Sequence, residues 1–81
     1  MNERIQNIFM QVIPLGGQPF NGELLRDATD QWDSLAHLRL ITALETELGC
    51  TFSMDDIQRM DRFSVVVEIT EARLSTSGHQ P

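Results

Sequence analysis

Ser34 stands where irregular chain gives way to a strongly periodic segment, with Asp33 before it and Leu35 after it. A serine at a helix start is an ordinary N-cap, because its oxygen can accept a hydrogen bond from a free backbone N–H of the first turn. The same position would place a surface hydroxyl at the positive end of the helix dipole, where an attached phosphate is stabilised. The residues therefore support two interpretations of Ser34, a helix cap and an attachment point for a phosphodiester.

Other residue groups nearby are compatible with chemistry but carry weaker signals. His37 follows Ser34 by three residues, and a serine–histidine pair is one arrangement of nucleophilic catalysis. No third residue is evident to orient the imidazole, so we expect His37 to be a solvated surface side chain. Asp27, Asp30 and Asp33 recur at every third position, but they lack the glycine and closing glutamate of a calcium loop. We predict no catalytic residue and no dedicated metal site.

Cys50 and Trp32 are the single cysteine and the single tryptophan of the chain. One cysteine excludes an internal disulfide, and no flanking histidine or base would activate the thiol, so we expect a small buried apolar group. We expect Trp32 to pack the end of a loop onto the rest of the protein, with its indole N–H near the surface.

Size and charge narrow the range of functions. A chain of 81 residues forms one domain with little room for a deep active site. Twelve acidic residues against six arginines give a net charge of −6, which disfavours nucleic acids and anionic membranes and favours basic partner surfaces. No apolar run has the length of a signal peptide or approaches the roughly 20 residues of a membrane span. We therefore expect a soluble, cytoplasmic monomer.

The apolar periodicity predicts helices rather than strands. A first helix begins near Asn2 and ends near Pro14, because proline cannot continue the hydrogen-bond ladder. A long connection over about residues 16–33 follows, with turn residues at 15–19 and a short turn near 22–26. The first helix carries its apolar stripe at Ile5, Ile8, Phe9 and Val12, which Ile13 broadens.

The second helix is predicted over residues 34–48, where Gly49 is a natural residue to end it. Its apolar residues cover more than half of its circumference, so it contacts several elements or leaves an apolar edge for a partner. We assign its inner stripe to Leu35, Leu38, Ile41, Leu44 (or Glu45) and Leu48, which Leu40 and Ala43 extend sideways.

Ser53 and Asp56 have the spacing of a capping box, which predicts a short third helix over residues 54–60. A fourth helix, capped by Asp61 or Ser64, extends to about residue 74, although three consecutive valines have a preference for strands. Its predicted face contains Phe63, Val66, Val67, Thr70 and Leu74. The fold class is thus all-α: a four-helix bundle of three longer helices and one short third helix, with a long loop between helices one and two.

Asp-Ser-Leu at the start of the second helix, in this order of elements and in an acidic chain, resembles the acyl carrier proteins. The resemblance covers roughly residues 2–74, nearly the whole chain. It implies one carrier domain over residues 1–74. The residues that follow, 75–81, are small and polar, so we expect them to form a flexible C-terminal tail. The resemblance also implies that Ser34 carries a covalent 4′-phosphopantetheine arm from coenzyme A, with Asp33 and Leu35 as the flanking residues of the attachment motif.

The resemblance further implies a function without catalysis. A phosphopantetheinyl transferase would attach the arm with the aid of Mg²⁺, and Asp33 would help to bind that metal. Acyl-loading and acyl-processing enzymes would then read the second helix, while the acyl chain folds between the helices. The implied partner-binding residues are Ala36, His37, Arg39, Leu40, Glu45 and Glu47. The candidate residues for an acyl pocket are Leu38, Ile41, Phe52, Ile57, Met60, Phe63 and Val66, all of which core packing also explains.

Ala36 and Arg39 depart from the resemblance, because carriers of fatty acid synthesis often have acidic residues there. The start of the second helix is therefore neutral to basic, which favours a specialised polyketide, lipid or related pathway with its own partners. Two alternatives stay open: a peptidyl or aminoacyl carrier with the same arm, and an unmodified helical adaptor that binds partners through the apolar side of helix two.

Overall fold

The computed structural model describes residues 2–13 and 24–77, which form four helices and no strand. The helices are α1 (Asn2–Val12), α2 (Ser34–Leu48), α3 (Met54–Arg59) and α4 (Phe63–Ser77). The predicted all-α class and the order of three longer helices and a short third one are confirmed. The predicted turn at residues 15–19 lies outside the described residues.

The predicted helix ends agree with the structure to within a few residues. α3 ends at Arg59, one residue before its predicted end. α4 begins at Phe63, so Ser64 lies inside the first turn and does not cap the helix. α4 also continues to Ser77, which places the first residues of the predicted tail in a helix, while residues 78–81 lie outside the described residues.

The core is built from one face of each long helix. The predicted stripe of α1 is buried at Ile5, Ile8 and Phe9. In α4 the i, i+3, i+4, i+7 pattern of a helical face outweighs the strand preference of the valines. The buried residues of α4 are Phe63, Val66, Val67, Ile69 and Thr70.

The inner face of α2 differs from the predicted stripe. Leu35 and Leu38 are exposed, and the buried residues are instead His37, Leu40, Ile41 and Leu44. The buried set has the i, i+3, i+4, i+7 spacing of a helical face. The prediction was right for Ile41 and Leu44 but wrong for Leu35 and Leu38, because it placed the histidine on the solvent side and so rotated the apolar stripe by part of a turn.

Hydrogen bonds from the chain's own terminating glycine and from other elements hold the C-terminal end of α2. At the C-terminus Gly49 adopts φ +71°, a left-handed conformation that a side chain disfavours, and its N–H donates to the Glu45 carbonyl, as predicted for a terminating glycine. Arg4 of α1 donates to the Glu47 carbonyl (Nη2···O 3.0 Å). The Glu45 carboxylate accepts from the Phe52 N–H (N···Oε2 2.9 Å), which ties α2 to the segment before α3.

Asp56 ties α3 to α4. The predicted capping box is present: the Ser53 hydroxyl accepts from the Asp56 N–H, and the Asp56 carboxylate accepts from the Ser53 N–H, each at 3.0 Å. Both oxygens of the same carboxylate also accept from Arg73, at 2.7 Å each. The Asp56 side chain is 2% exposed. The Arg73 guanidinium holds the pKa of Asp56 well below its usual range, although burial acts in the opposite direction.

We predict that Asp56→Asn lowers the free energy of unfolding at pH 7 by about 2 kcal/mol, because it removes a charge-assisted bidentate pair and leaves polar groups poorly matched. Asp55→Asn is the matched control: it makes the same change of charge in an exposed pair with Arg59 at 3.8 Å, and should cost less than about 0.5 kcal/mol. Urea unfolding of both variants measures the difference.

The effect of Asp56→Asn should depend on pH. Because the folded pKa is lowered, Asp56 stabilises the fold above its ordinary pKa of 3.8 and loses this contribution as the pH falls below that value. The gap in stability between the wild type and Asp56→Asn should therefore narrow in acid. A gap that stays constant down to pH 2 would show that the carboxylate charge is not what stabilises the contact.

Candidate functional site

Ser34 is the first residue of α2 and its side chain is exposed. The N-cap is Asp33, whose Oδ1 accepts from the Ala36 N–H at 2.8 Å. The interpretation of Ser34 as the N-cap is therefore wrong, since Asp33 already makes the capping bond. Within the described residues no hydrogen bond engages the Ser34 hydroxyl, which leaves it at the surface beside the positive end of the α2 dipole.

A run of turns holds the chain that leads into α2. The Ala28 N–H donates to the Leu25 carbonyl, the Thr29 hydroxyl donates to the same carbonyl at 2.7 Å, and the Trp32 N–H donates to the Thr29 carbonyl at 3.0 Å. The turns begin at Leu25, within the region where the sequence predicted a short turn. This segment, residues 24–33, is called the turn segment below.

The turn segment is fixed to the start of α4 by an antiparallel bridge between Leu25 and Arg62. The Arg26 N–H donates to the Asp61 carbonyl at 2.9 Å, and the Phe63 N–H donates to the Leu24 carbonyl at 3.0 Å. The approach to Ser34 is thus anchored at one end by backbone hydrogen bonds.

Ser34 and Asp33 line an open cleft of about 340 Å³ together with the turn segment. The cleft holds three carboxylates and one guanidinium; its remaining lining residues are Arg26, Asp27, Thr29, Asp30 and Trp32. Among the described residues no three histidine, cysteine, aspartate or glutamate side chains are grouped so that they could hold a metal ion. Arg26 forms none of the ion pairs found in the described part of the chain.

Trp32 anchors the other end of the turn segment in the core. Its side chain is buried, and its ring meets Phe9 of α1 edge to face at 4.8 Å between centroids. Phe9 in turn meets Phe63 of α4 at 5.0 Å. The packing of Trp32 onto the helices matches the prediction. Its indole N–H, however, is buried rather than near the surface, and it donates to His37 Nδ1 at 2.9 Å.

His37 is 3% exposed, so the prediction of a solvated histidine is wrong. Its Nε2 lies 2.9 Å from the Ile57 carbonyl of α3. Because an indole N–H can only donate, Nδ1 must accept and Nε2 must carry the proton that is donated to Ile57. Burial lowers the pKa of His37 and the positive charge of Arg26 lowers it further, while the Ile57 carbonyl opposes this shift.

The sequence carries a signal for this contact. His37 lies on the apolar face of α2 with Leu40, Ile41 and Leu44, and a buried tryptophan stands five residues before it. A buried indole N–H needs an acceptor, and a histidine on an adjoining core face is able to supply one.

The proposed partner-binding residues divide into two groups. Arg39 and Glu47 are exposed, and Ala36 and Glu45 are half-buried. His37 and Leu40 are buried and cannot contact a partner in this conformation. The large apolar side chains that reach solvent around α2 and α3 are instead Leu35 (58% exposed), Leu38 (56%) and Met54 (70%).

The candidate acyl-pocket residues mostly lie in the core. Leu38 is the exception: it is exposed and lines a shallow hollow on the outer side of α2. Ile57 is half-buried against the core. The other members are buried together in one cluster: Ile41, Phe52, Met60, Phe63 and Val66. Core packing accounts for these five, and their role in holding an acyl chain stays a prediction.

Cys50 is buried, as predicted. Burial raises the pKa of its thiol, and the nearby Glu45 carboxylate raises it further. Both effects disfavour the reactive thiolate, which agrees with a structural role.

Comparisons with known proteins bear on the fold. The solution NMR structure of a holo acyl carrier protein from Geobacter metallireducens superimposes on this chain with a TM-score of 0.82, at 23% sequence identity, over 99% of this chain and 93% of that one. The chain thus has the fold of an acyl carrier protein. No protein-family profile matches the sequence, and no curated protein matches it. Of the described helices, none is both long and apolar enough to cross a membrane.

The capping assignment makes a prediction about stability. Asp33→Ala should lower the free energy of unfolding by about 1 kcal/mol, because it removes the acceptor for the Ala36 N–H, whereas Asp33→Asn should cost much less, since asparagine is also a good N-cap. Ser34→Ala should change stability by less than about 0.5 kcal/mol. If Ser34→Ala proved as destabilising as Asp33→Ala in urea unfolding, Ser34 would share the capping role.

Proposed function

We propose that the chain is an acyl carrier protein in which a 4′-phosphopantetheine arm is attached to Ser34. The observation that carries the proposal is the exposed Ser34 hydroxyl, which the Asp33 cap leaves free at the start of α2, in a chain with the fold of a holo acyl carrier protein. The arm's terminal thiol would hold acyl intermediates as thioesters and present them to biosynthetic enzymes. The protein itself would catalyse no reaction.

The surroundings of Ser34 suit a group that is held covalently. The α2 dipole favours the anionic phosphodiester, but Asp33 and the carboxylates of Asp27 and Asp30 in the same cleft would repel a free phosphate. A covalent bond to the hydroxyl holds the phosphate without the aid of a cationic pocket. A tethered arm also raises the effective concentration of its cargo at each partner enzyme.

Asp33 has two roles in this proposal. Its Oδ1 caps α2, and its other carboxylate oxygen stays available to a metal ion that the transferase brings. With Mg²⁺, the transferase would move the phosphopantetheinyl group of coenzyme A to the Ser34 hydroxyl. The new serine O–P bond replaces the pyrophosphate bond of coenzyme A, adenosine 3′,5′-bisphosphate leaves, and the hydroxyl proton is released. Both coenzyme A and the transferase must reach the site, so we propose that the protein acts in the cytoplasm.

The proposed partner surface is the exposed side of α2 next to Ser34. This side carries Leu35, Leu38 and Arg39. Leu38 and Arg39 follow Leu35 by three and four residues, which is the spacing of neighbours on one helix face. Arg39 forms no ion pair within the described residues. This surface is apolar with one positive charge, whereas a general-purpose docking face would be acidic. The difference favours dedicated partners of a polyketide, lipid or related pathway.

Intact-mass measurement tests the attachment. Incubation with coenzyme A, Mg²⁺ and a broad-range phosphopantetheinyl transferase should add the mass of one arm to the wild type and none to Ser34→Ala. Ser64→Ala is the matched control, because Ser64 is also an exposed serine in the first turn of a helix, and this variant should be modified normally. An unmodified wild type would favour the helical adaptor without an arm.

Asp33→Asn separates the two roles of Asp33. Asparagine retains the cap but removes the negative charge, so we expect a stable fold that is modified at least tenfold more slowly, with the largest loss at low Mg²⁺. Asp30→Asn removes a charge from the same cleft without touching the cap and should have a smaller effect. Equal rates for all three proteins would exclude a role of Asp33 beyond capping.

Loading assays distinguish the two kinds of carrier. The holo protein would be offered to acyl-activating and to aminoacyl-activating enzymes, and the mass of the thioester would identify the cargo. Transfer of acyl groups supports the acyl carrier. Transfer of amino acids alone would support the peptidyl or aminoacyl carrier.

A further inference from the structure

His37 connects three parts of the molecule through two hydrogen bonds. It belongs to α2, accepts from Trp32 at the end of the turn segment, and donates to Ile57 of α3, with both distances at 2.9 Å. Its backbone N–H donates to the Asp33 carbonyl at 2.8 Å and so closes the first turn of α2. His37, three residues after Ser34, is therefore hydrogen-bonded to both residues that precede Ser34, Trp32 and Asp33.

The two hydrogen bonds respond differently to a proton. Only the neutral imidazole with its proton on Nε2 can accept from Trp32 and donate to Ile57 at the same time. In the imidazolium both ring nitrogens are donors, so Nδ1–H would face the indole N–H of Trp32 at a distance of 2.9 Å. Protonation is thus incompatible with the Trp32 contact, while the bond to Ile57 can persist.

The charged groups around His37 do not compensate for a positive ring. Arg26 of the turn segment acts on the imidazole electrostatically, and its positive charge has the same sign as that of a protonated ring. In α3 the carboxylate next to Ile57 is that of Asp56, which is paired with Arg73 of α4. Arg4 of α1 binds at the opposite end of α2. Within the described residues no carboxylate lies within ion-pairing distance of His37.

We propose that His37 is a positioning residue for Ser34: when neutral it holds the Trp32 indole against the start of α2, and when protonated it loses this hydrogen bond. Trp32 directly precedes the Asp33 cap, so the loss loosens the first turn that presents the Ser34 hydroxyl. The Phe9 contact and the Leu25–Arg62 bridge still hold the rest of the turn segment. The structural part of this proposal is independent of the arm. Its effect on modification rests on the proposed function.

The sign of the pH effect follows from the lowered pKa. The unfolded chain protonates His37 near its ordinary pKa of 6.5, whereas the folded chain does so only at lower pH. The two hydrogen bonds of the neutral ring, from Trp32 to His37 and from His37 to Ile57, are called the relay below. The relay therefore stabilises the fold fully above pH 6.5, and this contribution is lost as the pH falls through the folded pKa of His37.

NMR of the unmodified chain tests the structural part. In a His79→Gln background His37 is the only imidazole, and Trp32 gives the only indole N–H signal. We expect the His37 ring, the Trp32 indole N–H and the amides of residues 33–37 to shift with one common midpoint below pH 6.5. An indole signal that does not move with the imidazole would overturn the proposal.

Two substitutions separate the hydrogen bond with Trp32 from the hydrogen bond with Ile57. His37→Asn places a carboxamide oxygen where Nδ1 accepts from Trp32, and it does not titrate. His37→Gln reaches toward the Ile57 carbonyl but leaves Trp32 without its acceptor. We expect the indole N–H signal of His37→Asn to keep, at every pH, the hydrogen-bonded position that it has in the neutral wild type. In His37→Gln we expect the signal at the position of an unbonded indole at every pH. If His37→Gln does not fold, the titrations of the wild type and of His37→Asn still show whether protonation of His37 breaks the hydrogen bond with Trp32.

The rate of modification tests the consequence for Ser34. One pH unit below the measured His37 midpoint, about a tenth of the rings are neutral, so the rate for the wild type should fall about tenfold more than the rate for His37→Asn with the same transferase. Equal pH profiles would refute the positioning role. If neither protein is modified at any pH, the proposed function fails, and the NMR titration alone decides whether the relay responds to the proton.

Discussion

The indole N–H of Trp32 must find an acceptor inside the protein, and much of the site follows from that requirement. Burying a tryptophan removes about 150–250 Å² from water, which contributes about 4–6 kcal/mol at about 25 cal/mol per Å², but an unpaired N–H would cancel about 1–3 kcal/mol of it. His37 Nδ1 supplies the acceptor. That choice sets the tautomer of the ring, and the tautomer directs Nε2–H to the Ile57 carbonyl. One imidazole ring thus joins the turn segment, α2 and α3.

The joined parts rest on a small number of polar contacts between elements. Arg73 of α4 donates two hydrogen bonds to the Asp56 carboxylate, which also caps α3. The turn segment forms a backbone bridge to the start of α4. Asp33 caps α2, which leaves the neighbouring hydroxyl without a structural task. A short chain buries a limited apolar surface, so such contacts add to the core in fixing how its helices are arranged. The position of Ser34 is consequently set from α2, from Trp32 and from α4.

The helices could be predicted from the sequence because local signals agreed with one another. Gly49, the capping box of Ser53 and Asp56, and the stripe of α1 each reflect interactions within a few residues. The face of α2 was assigned wrongly because burial of His37 depends on Trp32 and Ile57, which lie in other elements. The Asp56–Arg73 pair was missed for the same reason, since its partners stand 17 residues apart. The cap was assigned to Ser34 because Asp33 and Ser34 are both good caps, and only the backbone geometry separates them.

The proposed function also requires that the protein leave its own cargo intact. A thioester is cleaved by thiolates and by water that a general base activates, and this chain holds one cysteine and a histidine close to Ser34 in sequence. Cys50 is buried and its thiol pKa is raised, so little thiolate is available for exchange with the arm. Both nitrogens of His37 are engaged in the core, so the ring has no free lone pair to activate water. The same burial that makes His37 a positioning residue therefore removes it as a base, and in the proposed function the chemistry at the arm belongs to the partner enzymes.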